Sequence, residues 1–372
     1  MKILNKRAVL IRGAGSLQFL FYPTMLNGKN ILITGGTGSF GKKMVQTVLT
    51  QYKPKRLVVF SRDELKQFEM AQKWSPAQYP CLQYVLGDVR DRERLTRVFE
   101  NIDYVIHTAA LKQVPAAESN PEEYIKTNVL GAMNVIAAAL DNDVEKVVVL
   151  STDKAANPIN LYGATKLCSD KLFIAANPNS NVAAKTKFFV VRYGNVLGSR
   201  GSVIPFFKER AATGLLPITD ERMTRFWITL DQAVHFVIHC FAMAKGGELF
   251  VPRIPSMKIT DLAQAIAPDC RQEVIGIRPG EKLHETLISE DEARNTVQFK
   301  ECYVIQADGG RRQELMKAHG NGRGALCPDG FRYTSDGNQD WLTVKELGVL
   351  VEKISEDYKI EASRWSMNDI PR

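Results

Sequence analysis

Side chains that could move protons are concentrated in one stretch of the chain, LSTDKAANPINLYGATK at residues 150–166. Near its start a hydroxyl, a carboxylate and an ammonium follow one another, at Thr152, Asp153 and Lys154. The apolar run before them predicts a buried strand, so these polar groups lie where the strand leaves the core. Packing has no use for such groups there, and we therefore interpret the stretch as a reaction site.

A tyrosine and a lysine, Tyr162 and Lys166, end the same stretch at a spacing of one helical turn. That spacing places both side chains on one face of the helix predicted to begin at Tyr162. An ammonium close to a phenol lowers the pKa of the phenol, so the tyrosinate could accept a proton from an alcohol. The same pair also occurs as an ordinary helix-start tyrosine and an exposed lysine, so its meaning depends on the rest of the chain.

A glycine-rich loop near the start of the chain supplies that context. Gly35, Gly38 and Gly41 follow the apolar run NILIT and precede a segment with helical spacing of apolar residues. Glycines there let the backbone approach a pyrophosphate, which binds the N–H groups at the helix start. The pattern predicts dinucleotide binding on an α/β fold, a Rossmann-type doubly wound parallel sheet with a smaller C-terminal α/β lobe.

The end of the second predicted strand bears on which dinucleotide is bound. Ser61 and Arg62 stand where an NAD site usually has an acidic residue, and a guanidinium suits a ribose 2′-phosphate. This favours NADP, although Asp63 keeps NAD open. Three further residues at strand ends are predicted to contact the cofactor: Asp88, Val89 and Ala109.

The composition is that of a globular protein, with 45% hydrophobic and 24% charged residues among 372. The formal charge of +8 suggests nucleic-acid binding, but Lys and Arg are scattered and form no basic run. The six cysteines include no CxxC pair, and no apolar stretch of about 18 residues occurs. We expect reduced thiols, no metal site, no nucleic-acid partner, no membrane insertion and a cytoplasmic location.

Together the motifs TGGTGSFG, GDVRD, HTAALKQVP, STDK and YGATK resemble the extended short-chain dehydrogenase/reductase superfamily. Within it, FSRDELKQFEM, RYGNVLGSRGSVIPFF, MTRFWIT and RPGEKLHETLIS are similar to the soluble inverting UDP-N-acetylglucosamine 4,6-dehydratases. These enzymes begin the synthesis of pseudaminic acid, a sugar used in flagellin glycosylation. Larger membrane-anchored relatives carry a methionine at the position of Tyr162. The resemblance spans residues 25–305 and resumes weakly in the tail.

The resemblance implies a mechanism and a product. Tyr162, aided by Lys166, takes the proton of the C4 hydroxyl while hydride passes to NADP; Thr152 holds the C4 oxygen. Lys154 then removes the C5 hydrogen, Asp153 protonates the leaving C6 hydroxyl, and hydride returns to C6. Protonation on the other face inverts C5 and gives UDP-2-acetamido-2,6-dideoxy-β-L-arabino-hex-4-ulose. NADP is therefore expected to be tightly held and recycled within each turnover. Retaining relatives have an Asp-Glu pair in place of Asp153-Lys154.

The resemblance also implies residues for the substrate, UDP-N-acetylglucosamine: Lys112, Asn195, Arg225, Arg278 and Glu281. Lys112 is near both ligands, and Tyr162 and Lys166 also touch the nicotinamide ribose. Arg225 and Arg278, from different loops, could clamp the diphosphate in bidentate fashion. His284 and Glu285 are expected to order their loop rather than perform chemistry.

The predicted organisation has four parts. Residues 1–24 form an extra N-terminal arm or a mis-called start, and residues 25–195 form the NADP-binding domain, whose core strands could continue to about residue 250. Residues 196–305 form mainly the UDP-sugar-binding lobe. Residues 306–372 form a polar, glycine-rich connector and a closing amphipathic helix with Thr343 as its N-cap. A homo-oligomer, a dimer or a hexamer, is expected.

Three alternatives stay open. A UDP-hexose 4-epimerase on the same fold would leave Asp153 and Lys154 idle, whereas a C5-epimerase would use Lys154. A non-enzymatic NADP-sensing scaffold usually loses the tyrosine and lysine of the YxxxK pair, and both are present here. A basic nucleic-acid binder would show binding that falls steeply with salt.

Overall fold

The computed structural model describes residues 9–10, 20–21, 24–177, 185–198, 203–318 and 324–363. Strands β1 (Val9–Leu10) and β2 (Leu20–Phe21) pair in antiparallel orientation. Apart from these strands and residue 24, the predicted N-terminal arm lies outside the described residues, as do residues 364–372.

The remaining strands and the helices follow in chain order. The strands are β3 (Asn30–Thr34), β4 (Arg56–Ser61), β5 (Leu82–Leu86), β6 (Tyr104–His107), β7 (Lys146–Thr152), β8 (Lys187–Tyr193), β9 (Asn195–Leu197), β10 (Leu215–Ile218), β11 (Thr224–Thr229), β12 (Leu249–Pro252), β13 (Ser256–Lys258), β14 (Arg271–Val274), β15 (Thr286–Ile288), β16 (Thr296–Gln298), β17 (Cys302–Ile305), β18 (Ala325–Leu326) and β19 (Tyr333–Thr334). The α-helices are α1 (Ser39–Gln51), α2 (Glu64–Lys73), α3 (Arg92–Val98), α4 (Val114–Ser119), α5 (Pro121–Tyr124), α6 (Gly131–Asp141), α7 (Leu161–Ala175), α8 (Val203–Ala211), α9 (Leu230–Met243), α10 (Ile259–Ile266), α11 (Glu290–Ala293), α12 (Gly309–Ala318) and α13 (Val344–Ser363). A π-helical turn, Ile125–Leu130, joins α5 to α6, and a 3₁₀ turn, Asp153–Ala155, follows β7.

The main sheet runs in the order β18-β16-β17-β12-β8-β7-β6-β3-β4-β5. Its strands from β5 to β12 are parallel, and β17, β16 and β18 add an antiparallel edge. The parallel part has the strand order of the Rossmann fold. Its strands are nearly continuous apolar runs, as in Leu57–Phe60, because helices cover both faces of such a sheet. The predicted fold class is confirmed.

The C-terminal lobe has an apolar core of its own, which includes Phe207, Trp227, Leu262 and Leu347 from α8, β11, α10 and α13. Three small sheets frame it: β9-β11-β13, β10-β14 and β15-β19. Helix α13 begins directly after Thr343, whose hydroxyl accepts a hydrogen bond from the backbone N–H of Glu346, as predicted for the N-cap.

The segment predicted as a connector after residue 306 contains a helix, α12, and the edge strand β18. The polar composition of this segment did not predict the helix, which two contacts stabilise. Leu315 is buried against the main core, and the Asp308 carboxylate accepts a hydrogen bond of 2.9 Å from the N–H of Arg311 at the helix start.

Candidate active site

The predicted site residues surround a cavity of about 880 Å³ between the carboxyl ends of the parallel strands and the C-terminal lobe. Ligands of open α/β sheets bind at this edge, where the strand order reverses. Of the predicted residues named above, Gly35, Gly38, Gly41, Ser61, Arg62, Asp88, Val89, Ala109, Lys112, Thr152, Lys154, Tyr162, Lys166, Asn195, Arg278 and Glu281 line the cavity. Asp153 and Arg225 do not.

The loop between β3 and α1 has the shape of a pyrophosphate cradle. Gly35 has a φ of +65°, and a Cβ there would lie 2.8 Å from the backbone of Ala109. A Cβ on Gly41 would lie 2.4 Å from the carbonyl oxygen of Gly36. Gly38 precedes α1, and no side chain caps the N-terminus of the helix. The N–H groups at the start of α1 are thus presented to the cavity without a competing side chain, and this fits a dinucleotide.

The end of β4 brings a hydroxyl and a guanidinium to the wall of the cavity. Ser61 Oγ accepts hydrogen bonds from the Thr37 hydroxyl (3.0 Å) and from the N–H of Asp63 (3.3 Å). The half-exposed Arg62 places NH1 3.5 Å from Asp88 Oδ2. Burial opposes ionisation of Asp88, but hydrogen bonds from Arg90 outweigh it, so the pKa of Asp88 lies below its usual value.

At the end of β7, Asp153 is the most enclosed of the polar residues. Asp153 Oδ1 accepts hydrogen bonds from the Thr152 hydroxyl (2.9 Å) and from Lys154 Nζ (3.0 Å). Its other oxygen, Oδ2, is buried and has no hydrogen-bond partner among the described residues. Burial and the nearby carboxylate of Glu285 raise the pKa of Asp153, and Lys154 opposes them. A carboxyl group whose pKa is raised can hold a proton for donation.

The second partner of Lys154 comes from the C-terminal lobe. Lys154 Nζ lies 3.2 Å from Glu285 Oε1, and the Glu285 side chain is only 2% exposed. Burial lowers the pKa of Lys154, but the charges of Asp153 and Glu285 outweigh it and raise that pKa above its usual value. Glu285 was expected to order its loop rather than perform chemistry, and its carboxylate also contacts Lys154. No local pattern of sequence signals this contact, since Glu285 and Lys154 are far apart in the chain.

Arg225 has a different place from the one predicted. Its NH1 donates to the carbonyl oxygens of Thr224 (2.7 Å) and Leu283 (3.1 Å), and its NH2 donates to that of Lys282 (3.0 Å). Its Nε lies 3.7 Å from Glu285 Oε1. The guanidinium therefore holds the loop before β15 instead of facing a diphosphate in the cavity.

Helix α7 begins with three contacts that fix the position of Tyr162. The Asn160 side chain accepts a hydrogen bond from Gly163 N and donates one to the carbonyl of Gly280, both at 2.8 Å. Glu118 accepts from the N–H of Leu161 at 2.8 Å. A Cβ on Gly163 would lie 2.1 Å from the carbonyl oxygen of Lys154, so this position requires glycine. The helix start and the 3₁₀ turn are thus packed against each other.

The pKa of Tyr162 does not follow the prediction. Burial raises it to about 12, and the cation that most opposes this rise is Lys154, followed by a hydrogen bond with Thr152. Lys166 is buried, and burial lowers its own pKa while Asp170 opposes that change. The cation that lowers the pKa of Tyr162 is thus Lys154 and not the predicted Lys166, and the loss of hydration on burial outweighs its attraction.

A buried ionic network lies behind Lys166. Asp170 accepts a hydrogen bond of 2.6 Å from the Ser151 hydroxyl and lies 3.6 Å from Arg192 NH2. Arg192 NH1 also lies 2.9 Å from the Glu292 carboxylate on α11. The network joins α7 and β8 to α11, whose Ala293 packs into the core of the main sheet.

Asn128 lies within the π-helical turn and is buried. Its side chain exchanges two hydrogen bonds of 2.9 Å with the backbone of Leu111, and its Nδ2 is 3.1 Å from the Thr165 hydroxyl. These contacts fix the loop that carries Ala109 and Lys112 against helix α7. Asn128 was not among the predicted site residues.

Two polar atoms of residues on β9 and β11 that line the cavity lack partners among the described residues. They are Asn195 Oδ1 and Trp227 Nε1, both buried. The two residues are directly paired across β9 and β11, and both line the cavity. Trp227 was missed by sequence reasoning, since MTRFWIT indicates only an apolar strand. Near them, Arg278 NH1 lies 3.9 Å from Glu281 Oε1.

Neither a metal cluster nor a membrane span is found in the described part of the chain. No group of three or more His, Cys, Asp or Glu residues there could hold a metal ion. No helix in the described ranges is both long and apolar enough to cross a membrane.

Comparison with known proteins identifies relatives over most of the chain. Residues 31–307 match the family model for "polysaccharide biosynthesis protein". A UDP-N-acetylglucosamine 4,6-dehydratase (inverting) of Campylobacter jejuni subsp. jejuni is 54% identical, over 87% of this chain and 97% of that protein. A UDP-glucose 4-epimerase of Rickettsia conorii is 40% identical, over 90% of this chain and 99% of that one. The crystal structure of Pen from Bacillus thuringiensis is 36% identical and has a TM-score of 0.78, over 88% of this chain and 99% of that one.

Proposed function

Since this chain belongs to the polysaccharide biosynthesis protein family, within the extended short-chain dehydrogenase/reductase superfamily, we propose that it is an NADP-dependent lyase. It removes water from UDP-N-acetylglucosamine across C5 and C6 and inverts the configuration at C5. The observation that carries this proposal is the pair Asp153-Lys154. The pair sets a carboxyl group and an amine 3.0 Å apart, and Lys154 lines the same cavity as Tyr162.

The residues present fit a dinucleotide cofactor. The uncapped start of α1 and the close approach at Gly35 and Gly41 leave room for a pyrophosphate and no room for side chains. Ser61 and Arg62 support NADP, because hydroxyl and guanidinium groups both donate hydrogen bonds to a ribose 2′-phosphate. When bound, the nicotinamide would take a hydride from C4 of the sugar and return it to C6.

The first proton transfer is assigned to Tyr162, which accepts the proton of the C4 hydroxyl. The phenol must ionise for this, and burial raises its pKa to about 12. Lys154 and Lys166 are the cations able to stabilise the tyrosinate. The Thr152 hydroxyl, which donates its one proton to Asp153 Oδ1, would redirect it to hold the C4 oxygen.

The elimination is assigned to Lys154 and Asp153. Lys154 accepts the C5 proton as an amine, and Asp153 gives its proton to the departing C6 hydroxyl, which leaves as water. Both groups can be in the required form at once if the proton between them moves across the 3.0 Å hydrogen bond from Lys154 to Asp153. A different group must then protonate C5 from the opposite face to invert that centre.

Substrate contacts are proposed for residues from both halves of the chain: Lys112, Asn195, Arg278 and Glu281. Arg278 is left as the arginine for the diphosphate, because Arg225 is engaged with backbone carbonyls. We place the enzyme in the cytoplasm as a homo-oligomer, in the first step of pseudaminic acid or a related surface sugar. Its product would be UDP-2-acetamido-2,6-dideoxy-β-L-arabino-hex-4-ulose.

The test is incubation of the purified protein with UDP-N-acetylglucosamine in D₂O without added reductant. We expect a product lighter by one water, with deuterium at C5 and inverted configuration by NMR. A dependence on stoichiometric NADPH, or a product of unchanged mass, would contradict the proposal.

A second candidate is a UDP-hexose 4-epimerase, favoured by the 40% identical Rickettsia protein of that name. Epimerisation at C4 needs Tyr162 and Lys166 but neither an acid at C6 nor a base at C5. The same incubation separates the two, since a 4-epimerase gives an isomer that retains hydrogen at C5. An Asp153→Asn variant would leave epimerase turnover close to that of the unaltered protein and stop dehydration.

A further inference from the structure

One buried carboxylate close to the reacting pair has no part in the proposed reaction. Glu285 Oε1 lies 3.2 Å from Lys154 Nζ, and Glu285 Oε2 is buried without a hydrogen-bond partner among the described residues. Lys154 is therefore held between two carboxylates, since Asp153 Oδ1 is 3.0 Å from the same nitrogen. A buried carboxylate oxygen without a hydrogen-bond partner lowers the free energy of unfolding. The presence of such an atom beside Lys154 therefore calls for an explanation.

Two hydrogen bonds with Ser335 fix the backbone of Glu285, one through its N–H and one through its carbonyl group. Its N–H donates to Ser335 Oγ at 2.9 Å, and its carbonyl accepts from Ser335 N at 2.9 Å. Ser335 Oγ is also 2.6 Å from the hydroxyl of Thr224. The carboxylate thus reaches Lys154 from a fixed backbone, next to the paired strands β15 and β19.

The charged and titratable groups that face this pair come from four elements. The end of β7 supplies Asp153 and Lys154. Helix α7 supplies Tyr162. The charge of Lys154 partly offsets the rise in the pKa of Tyr162 that burial causes. Strand β11 supplies Arg225, 3.7 Å from Glu285. The loop before β15 supplies Glu285 and Lys282, whose ammonium donates to the Ala156 carbonyl at 2.7 Å.

We propose that Glu285 is a positioning residue that fixes Lys154 and sets the pH range in which the Asp153-Lys154 pair can act. This inference rests on the proposed dehydratase function. Its physical basis is that a fixed negative charge stabilises a proton on each neighbouring group. Glu285 therefore favours the ammonium form of Lys154 and the carboxylic acid form of Asp153.

The proton balance shows why both effects matter. The pair carries one proton that can move, either as ammonium and carboxylate or as amine and carboxylic acid. In the elimination the C5–H bond breaks and its proton goes to the Lys154 amine, while its electron pair forms the C5–C6 double bond. The C6–O bond breaks, and the Asp153 proton leaves with the hydroxyl as water. The pair ends as ammonium and carboxylate, so no external proton donor or oxidant is needed.

The pair is inactive when it carries one proton too many or one too few. Activity therefore falls at low pH, where the ion pair takes up a proton, and at high pH, where it loses one. The charge of Glu285 raises both of these pKa values. Removing that charge should move the acid limb and the alkaline limb of the pH profile together to lower pH.

The experiment compares the pH dependence of kcat for the unaltered protein, Glu285→Gln and Glu285→Asp. For Glu285→Gln we expect both limbs to move by about one pH unit or more to lower pH, because an adjacent charge shifts a pKa by that amount. Glu285→Asp keeps the charge but withdraws it by one methylene, so its limbs should move less and in the same direction. The matched control is Glu290→Gln, the same change at an exposed position on α11, which should leave the profile unchanged.

The outcomes distinguish failure of the role proposed for Glu285 from failure of the proposed function. A lower maximum with both limbs in place in Glu285→Gln would mean a merely structural role and overturn the inference. Glu285→Asp supplies the same test if Glu285→Gln does not fold. If the unaltered protein forms no dehydrated product, the proposed function itself fails, independently of Glu285.

Discussion

At the scale of single residues, Lys154 has to satisfy two requirements that conflict. Its place between the carboxylates of Asp153 and Glu285 depends on a positive charge, yet a base at C5 must be a neutral amine. The 3.0 Å contact with Asp153 reconciles them, since moving one proton neutralises both groups at once. In the proposed reaction Tyr162 takes no part in this exchange and works on the C4 oxygen, although the charge of Lys154 also lowers the pKa of the phenol.

A Lys154→Gln variant should therefore separate the two halves of the reaction. We expect oxidation at C4 to continue at a reduced rate, because Tyr162 and Lys166 are unchanged but the cation that most lowers the pKa of Tyr162 is lost. Water loss should fall further, by about 10²–10⁴-fold, the usual contribution of a general base. Reduced nicotinamide would then accumulate and is measured by its absorbance. Tyr162→Phe is the matched control and should abolish both steps; dehydration at an undiminished rate in Lys154→Gln would refute the assignment of the base.

At the scale of elements, the site depends on the contact between the 3₁₀ turn after β7 and the start of α7. The two are joined in the chain by a few residues, and Gly163 is the place where they touch. Because the carbonyl of Lys154 would be 2.1 Å from a Cβ at that position, the helix cannot carry a side chain there without displacing the turn.

A Gly163→Ala variant should fold and lose activity. Displacing Lys154 by about 1 Å is expected to lower dehydration about 10²-fold, because proton transfer depends on close alignment. Gly348→Ala is the matched control, since a Cβ at Gly348 in α13 meets no atom within 4 Å. That change should leave activity intact and stabilise the helix by up to about 1 kcal/mol. Rates and free energies of unfolding in urea check both, and full activity in Gly163→Ala would disprove the requirement for glycine.

Local signals explain which parts of the site could be predicted from the sequence. The glycine loop, the polar residues after β7 and the Tyr162–Lys166 spacing each lie within one strand–loop–helix unit, so their geometry follows from short-range pattern. The positions of Glu285 and Trp227 in the site are set by pairing between strands that are distant in the chain, β15 with β19 and β11 with β9. The spacing of residues within the sequence does not predict these pairings. The place of Arg225 was not predicted for a similar reason, because two of the three carbonyls that engage it, those of Lys282 and Leu283, belong to a distant segment.

Across the molecule, distant parts of the chain are joined through buried charges. Arg192 is 1% exposed on β8, and Glu292 on α11, 100 residues later, supplies a carboxylate 2.9 Å from its NH1. The same Glu292 caps α11 by accepting from the N–H of Ser289. A single side chain thus serves both this ion pair and the start of α11.

Glu292→Ala should destabilise the protein by about 3 kcal/mol or more, because it leaves a buried guanidinium short of a partner. Glu290→Ala, at the exposed start of the same helix, should change stability by no more than about 0.5 kcal/mol. Urea unfolding followed by tryptophan fluorescence measures both. Equal stabilities of the two variants would show that Arg192 does not depend on Glu292.

The anchoring of Glu285 by Ser335 has a consequence for how the protein matures during synthesis. The hydrogen bond between Thr224 and Ser335 spans 111 positions, and Ser335 lies beyond the family-matched residues 31–307. Contacts between residues so far apart in the chain form late in folding. Domains fold from the N-terminus as the chain emerges from the ribosome. A nascent chain should therefore acquire its dinucleotide fold, and bind cofactor, before its acid–base centre is complete. Cofactor-loaded but inactive chains are the folding intermediate to look for among ribosome-bound products.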